Sequence, residues 1–163
     1  VCLRSRRSTI VTFRTERSKH RAAANLFSRY LAPPQYSEDP CGGPRTIESH
    51  IKPRIEESAD SVDRPAPRIV CSLPTCVTDD VEAARSAAAA VFEIYGQLPS
   101  YRAMLDREGV DHPGEVAIVG TEEEVAAQLA NLAEAGVTDF AALEFGTTAD
   151  ESARTRALLI SQL

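Results

Sequence analysis

Gly42-Gly43-Pro44-Arg45-Thr46 is the stretch whose residue types and spacing point most directly to chemistry. Two glycines let a backbone come close to a ligand. A proline suits the first turn of a helix, whose N–H groups have no partner within the helix. A guanidinium beside those groups favours phosphate or carboxylate. Gly43, Arg45 and Thr46 are therefore the candidate binding residues for an anionic group of a cofactor or substrate. The plainer reading is that glycine and proline shape a turn and Arg45 is solvated.

The other chemistry-bearing residues are weaker candidates. Gly120-Thr121 has the look of a second anion loop, but Glu122, Glu123 and Glu124 follow and would repel an anion. Thr121 with Glu124 reads better as a capping box. Tyr101 and Arg102 could face a ligand, although packing plus a surface charge explains them as well. Asp79 and Asp80 could form an acid pair, but residues that open a helix cap it by default. Glu144 near the end of a strand has no nameable partner acid or base. The catalytic residues stay unassigned, since no Ser-His-Asp set, dinucleotide glycine pattern or phosphate loop is present. Cys2, Cys41, Cys71 and Cys76 lack CxxC spacing and read as small buried hydrophobes. His20, His50 and His112 are far apart, and no metal site is expected.

The elements that must position these residues are clearest from Val116 to Phe145. Thr121 starts a helix whose Val125, Leu129 and Leu132, with Ala126 and Ala133, form one apolar stripe. Gly136 can take the left-handed conformation that ends it. Val137 to Phe145 then reads as a strand covered on both faces. Earlier, Ile47, Ile51 and Ile55 define a helix that Pro53 should kink. Arg68 to Thr78 is a second strand, with a bulge or an end expected at Pro74. Cys71 and Cys76, five apart in it, point to opposite faces. Asp80 opens a helix to about Tyr95, with Val81, Ala84, Ala88, Val91, Phe92 and Tyr95 buried. A shorter helix follows from Pro99 to Gly109. A last one runs from Gly146 to about Ile160, with Ala153, Ala157 and Leu158 inward. A helix over roughly Glu16–Leu31 is also expected.

The chain has 163 residues, 43% hydrophobic and 26% charged, as in an ordinary globular domain. No apolar run approaches the ~20 residues of a membrane helix. The net charge of −6 is unevenly spread: residues 1–30 hold eight Lys/Arg against one acid, Glu16. An Arg- and Ser-rich, acid-poor start suits a transit peptide, a basic arm or a segment foreign to the domain behind it. The last is preferred, because the body of the chain is acidic and no nucleic-acid motif is present.

Several motifs carry a family resemblance. Gly43-Pro-Arg-Thr-Ile47, Pro53-Arg-Ile55, Arg64-Pro-Ala-Pro-Arg-Ile-Val70 and Leu73-Pro-Thr-Cys-Val-Thr-Asp-Asp80 are four of them. Tyr95-Gly-Gln-Leu-Pro-Ser-Tyr-Arg-Ala-Met-Leu-Asp-Arg-Glu-Gly109, Val116-Ala-Ile-Val-Gly120 and Ala135-Gly-Val-Thr-Asp-Phe140 are the others. Together they resemble the C-terminal part of luciferase-like monooxygenases, closest to the deazaflavin (coenzyme F-420)-dependent oxidoreductases. The resemblance covers about residues 42–160 and implies an α/β fold, the C-terminal portion of an incomplete (β/α)8 TIM barrel. It implies hydride transfer between coenzyme F-420, or alternatively FMN, and a small organic substrate. By this reading Gly43, Arg45 and Thr46 sit on the ligand side of the barrel. A cytoplasmic enzyme fragment is expected, inactive alone, with a homodimer as in the family and no nucleic-acid or membrane partner. A non-catalytic α/β remnant or partner-binding fragment is the alternative. Residues 1–41 do not match the family and carry no Trp-containing loop. They are expected to be a divergent or disordered segment, such as a translated frameshift, ahead of a domain over 42–163.

Overall fold

The computed structural model describes residues 8–12 and 42–162. The helix expected over Glu16–Leu31, and Cys2, His20 and Cys41, lie outside the described residues. In chain order the elements are β1 (Ser8–Thr12), α1, β2 (Val70–Val77), α2 (Val81–Phe92), α3 (Pro99–Glu108), β3 (Ile118–Gly120), α4 (Glu122–Ala135), β4 (Asp139–Glu144) and α5 (Ala149–Ser161). Helix α1 is α-helical over Pro44–Thr46 and Lys52–Asp60 and π-helical over Ile47–Ile51 between them. Two 3-10 segments, Glu93–Gln97 and Pro113–Val116, flank α3.

The strands make one sheet in the order β1-β4-β2-β3. Strands β2, β3 and β4 are parallel, so this is a mixed α/β fold around a three-stranded parallel sheet. The β2–β4 ladder runs from Val70 opposite Asp139 to Thr75 opposite Glu144. The β2–β3 ladder holds only Thr75–Val77 against Ile118–Gly120. β1 pairs antiparallel with β4, Ser8 opposite Leu143 through Thr12 opposite Asp139. Neither β1 nor β3 is anticipated from the sequence. β3 is too short for a period to register, while Thr9-Ile-Val-Thr12 is a β-branched run that suits a strand.

The longest apolar signals hold. Thr121 Oγ1 accepts from the Glu124 N–H and the Glu124 carboxylate accepts from the Thr121 N–H at 2.8 Å, closing the capping box. Gly136 ends α4 at φ 113°, a conformation costly for any side chain. Val125, Leu129 and Leu132 pack with Ile47, Cys71, Leu73, Val77, Phe140, Ala142 and Leu159 into the main core. Ile51 and Ile55 pack against it. Cys76 faces the other way, into a smaller cluster with Ala84, Ala88, Ala117, Val119 and Phe145.

Four expectations are corrected. β4 is covered unequally on its two faces: Phe140 and Ala142 are buried beneath α1, α4 and α5, while on the other face Leu143 is 36% exposed and α2 covers only the end at Phe145. β2 neither ends nor bulges at Pro74. Phe145 N–H donates to Thr75 C=O, and Thr78 N–H donates to Gly120 C=O. Alternation along β2 therefore turns the Pro74 nitrogen toward the β3 side, where the ladder begins only at Thr75. On α2, Val91 is exposed and the α-helix gives way to a 3-10 turn after Phe92. On α5, Ala153 and Ala157 face outward while Thr155 and Leu159 are buried. Thr155 tolerates burial because its hydroxyl donates to Glu151 C=O and accepts from Val77 N–H at 2.7 Å. At Pro53, where a kink or restart is expected, the structure has a widened turn just before it and regular α-helix from Lys52 onward. The proline ring would collide with the Ser49 carbonyl in a regular helix, and the π-helical stretch falls there.

Candidate functional site

The structure brings Gly43, Arg45 and Thr46 together and supplies their anion from within the chain. Glu108, the last residue of α3 and 9% exposed, sends its carboxylate to the start of α1. Its oxygens accept from Thr46 N–H at 2.7 Å and Arg45 N–H at 3.4 Å. The Arg45 guanidinium donates to the Glu108 carbonyl at 3.1 Å. Gly43 is required by this approach, since a Cβ there would lie 2.7 Å from the carboxyl carbon. Thr46 Oγ1 is buried without a partner. An external anion at this place must displace Glu108. The sequence does hold a signal for Glu108: an acid in the last turn of a helix opposes the dipole, so its carboxylate has a reason to turn elsewhere.

Ionic groups also gather at the carboxyl ends of the strands. Arg154 on α5 binds Asp79, after β2, at 2.9 Å and Glu122, at the start of α4, at 2.7 Å. The Arg154 hydrogen bond, helped by backbone N–H donation, holds the Glu122 carboxyl down to about 2. Glu151 accepts from the hydroxyls of Thr78 and Thr147 and from the N–H groups of Thr147 and Thr148. Donation by Thr78 first, then by Thr147 and the backbone, lowers Glu151 to about 2. These contacts tie helix starts to strand ends, and each carboxylate already has its donors.

That arrangement sets an acid limit. Glu151 is ionised in the folded chain down to about 2, whereas an unfolded glutamate takes its proton near ~4.3. Its stabilising contribution is present above that value and is lost as the pH falls toward about 2. Urea midpoints measured between pH 5 and pH 2.5 should fall steeply, and Thr78→Val should make the fall shallower.

The other sequence candidates separate. Asp80 caps α2 by accepting from Ala83 N–H at 3.0 Å, so it forms no acid pair with Asp79. Arg102 binds Asp106 and the carbonyls of Val110 and Asp111, clamping the loop after α3. Glu144 pairs with Arg156 at 2.6 Å. Burial raises the Cys76 thiol to about 11, which leaves it unreactive. Among the described residues no group of three His, Cys, Asp or Glu could hold a metal, and no helix is long and apolar enough to cross a membrane.

Tyr101 does line a cleft. A space of about 120 Å³ lies beside β2 and β4, bounded by Ser72, Pro74, Phe92, Tyr95, Met104 and Leu143 as well. The Tyr95 and Tyr101 rings are 4.9 Å apart at 53°. In the sequence Phe92 reads only as part of the buried side of α2, and Met104 only as part of the Tyr95–Gly109 motif. The cleft is well below the ~300 Å³ of a usual cofactor pocket. With the α1 donors taken by Glu108, the described residues do not by themselves fit a deazaflavin or FMN.

No protein-family model matches the chain. No curated protein matches it either.

Proposed function

We propose that residues 42–162 form part of the wall of a luciferase-like (β/α)8 barrel, an oxidoreductase that uses coenzyme F-420 or a flavin on a small organic substrate. The observation that carries this reading is the parallel β2–β4 pair, covered more fully on one face than on the other. β2 and β4 are adjacent and parallel, as consecutive barrel strands are, and one long crossover joins them. β3 is then a three-residue addition inside that crossover. Helices α1, α4 and α5 pack on one face. The opposite face, where α2 covers Cys76 and Phe145, still leaves Val70 56% and Leu143 36% exposed, and a closed barrel turns such a face inward. The resemblance over residues 42–160 supports the same reading and supplies the cofactor class.

In this reading the chain contributes scaffold and wall. Glu108 fixes the start of α1, and Thr155 and Glu151 fix α5 to the end of β2. The cofactor, when bound, supplies the hydride chemistry, and the protein orients it. The apolar face also favours a second reading, a non-catalytic module that packs against another chain.

Fusing residues 42–163 behind the N-terminal half of a luciferase-like oxidoreductase distinguishes the two. The chimera is expected to bind F-420 or FMN and to transfer hydride. The 163-residue chain alone should show no saturable binding below about 10 μM, having too few contacts for the ring. A folded chimera that binds neither cofactor would overturn the oxidoreductase reading.

A further inference from the structure

The cleft beside β2 and β4 has a chemistry of its own. Among the described residues its lining is apolar or aromatic apart from Ser72 and carries no charged side chain, with Phe92, Tyr95, Tyr101, Met104 and Leu143 around that serine. Phe92 and Tyr95 lie 5.9 Å apart and Tyr95 and Tyr101 4.9 Å apart, so three tilted rings make a continuous aromatic wall. Met104, 3% exposed, brings a thioether, which packs well against ring edges. The space of about 120 Å³, partly open to solvent, has room for one aromatic ring, which an enclosed apolar cavity of ~150 Å³ is enough to hold. The stretch from Ser86 to Tyr101, which carries Phe92 and Tyr95, holds one charge, Glu93.

The Ser72 hydroxyl gives the cleft a direction. Ser72 Oγ donates to Ala141 C=O at 3.0 Å. A hydroxyl that has placed its proton keeps lone pairs to accept with. An occupant that offers a single donor is favoured over one that offers none. A charged occupant would lose hydration with no counter-ion among the described lining residues.

We propose that this cleft binds a single uncharged aromatic ring bearing one hydrogen-bond donor, with Ser72 Oγ as the acceptor and the Phe92–Tyr95–Tyr101 wall as the stacking surface. The inference rests on the cleft alone. Hydride transfer by an assembled barrel can fail while ring binding persists, and the reverse also holds.

The chain's one methionine reports on it directly. With the methyl of Met104 isotopically labelled, the full chain is titrated with phenol and with toluene and followed by NMR. Phenol is expected to move the Met104 resonance saturably at millimolar concentration, as suits a seven-atom ligand. Toluene should bind more weakly, by roughly two- to ten-fold, the worth of one neutral hydrogen bond. Ser72→Ala should abolish that preference while toluene binding survives. Leu143→Lys, a change at an already half-exposed position, should weaken both ligands by placing a charge at the mouth. A Met104 resonance that does not respond to phenol overturns the proposal. So does an unchanged phenol preference in Ser72→Ala.

Discussion

Phe140→Ala is expected to remove about 3–5 kcal/mol of stability, as truncating a buried aromatic side chain usually does. Phe140 is fully buried at the middle of the sheet, opposite Cys71 on β2 and Val11 on β1. It packs in the main core beneath α1, α4 and α5, and close-packed surroundings collapse only partly around such a void. Domains are commonly stable by only ~5–15 kcal/mol, so the loss should be plain in a urea titration. Leu143→Ala, three residues along the same strand, supplies the contrast. It is 36% exposed at the cleft on the less fully covered face and should cost under about 1 kcal/mol. Equal losses at the two positions would mean that both faces are packed alike.

Glu108→Ala is expected to cost about 2–3 kcal/mol, because it removes a charge-assisted acceptor and leaves the buried Thr46 N–H without one. Glu108→Gln keeps the shape and one acceptor oxygen, and should recover part of the loss. Arg45→Ala should cost less than ~1 kcal/mol, since the side chain is exposed and donates to one carbonyl. Chemical denaturation of the three variants orders them. If Arg45→Ala proves costlier than Glu108→Ala, the carboxylate is not what holds the start of α1. Gly43→Ala is a further check, because its Cβ would meet the carboxylate and force it out of place.

What the sequence made legible follows from the range of the interactions. The capping box at Thr121, the left-handed Gly136 and the isoleucine stripe of α1 depend on neighbours within a turn or two, and they are written in adjacent letters. The strands β2 and β4 were legible from their apolar runs. Their covering was not, because it depends on how many helices return to each face. The start of α1 reads in the sequence as a place for an external anion. The carboxylate that fills it comes from 62 residues downstream, and no local pattern links Glu108 to Thr46. Arg154 escaped notice for the same reason, being 75 residues from Asp79 and 32 from Glu122. The aromatic cleft is half legible: Tyr101 stands out as a candidate, but Phe92, Tyr95 and Met104 meet it only in the folded chain, across the 3-10 turn that separates α2 from α3.

The sheet order carries a consequence for how the chain is built. β2 occupies an inner position, yet its main partner β4 lies about seventy residues later, and β1 waits for that same strand from still farther back. A ribosome adds roughly 5–20 residues each second, so Val70–Val77 is out in solution for several seconds before Asp139–Glu144 exists. Until then β2 can recruit only the three residues of β3. Assembly is therefore governed by a late event, and pairings so distant in sequence close slowly. Helix α4 and its capped start can form ahead of that event, so the last strand arrives already attached to the layer that will cover it.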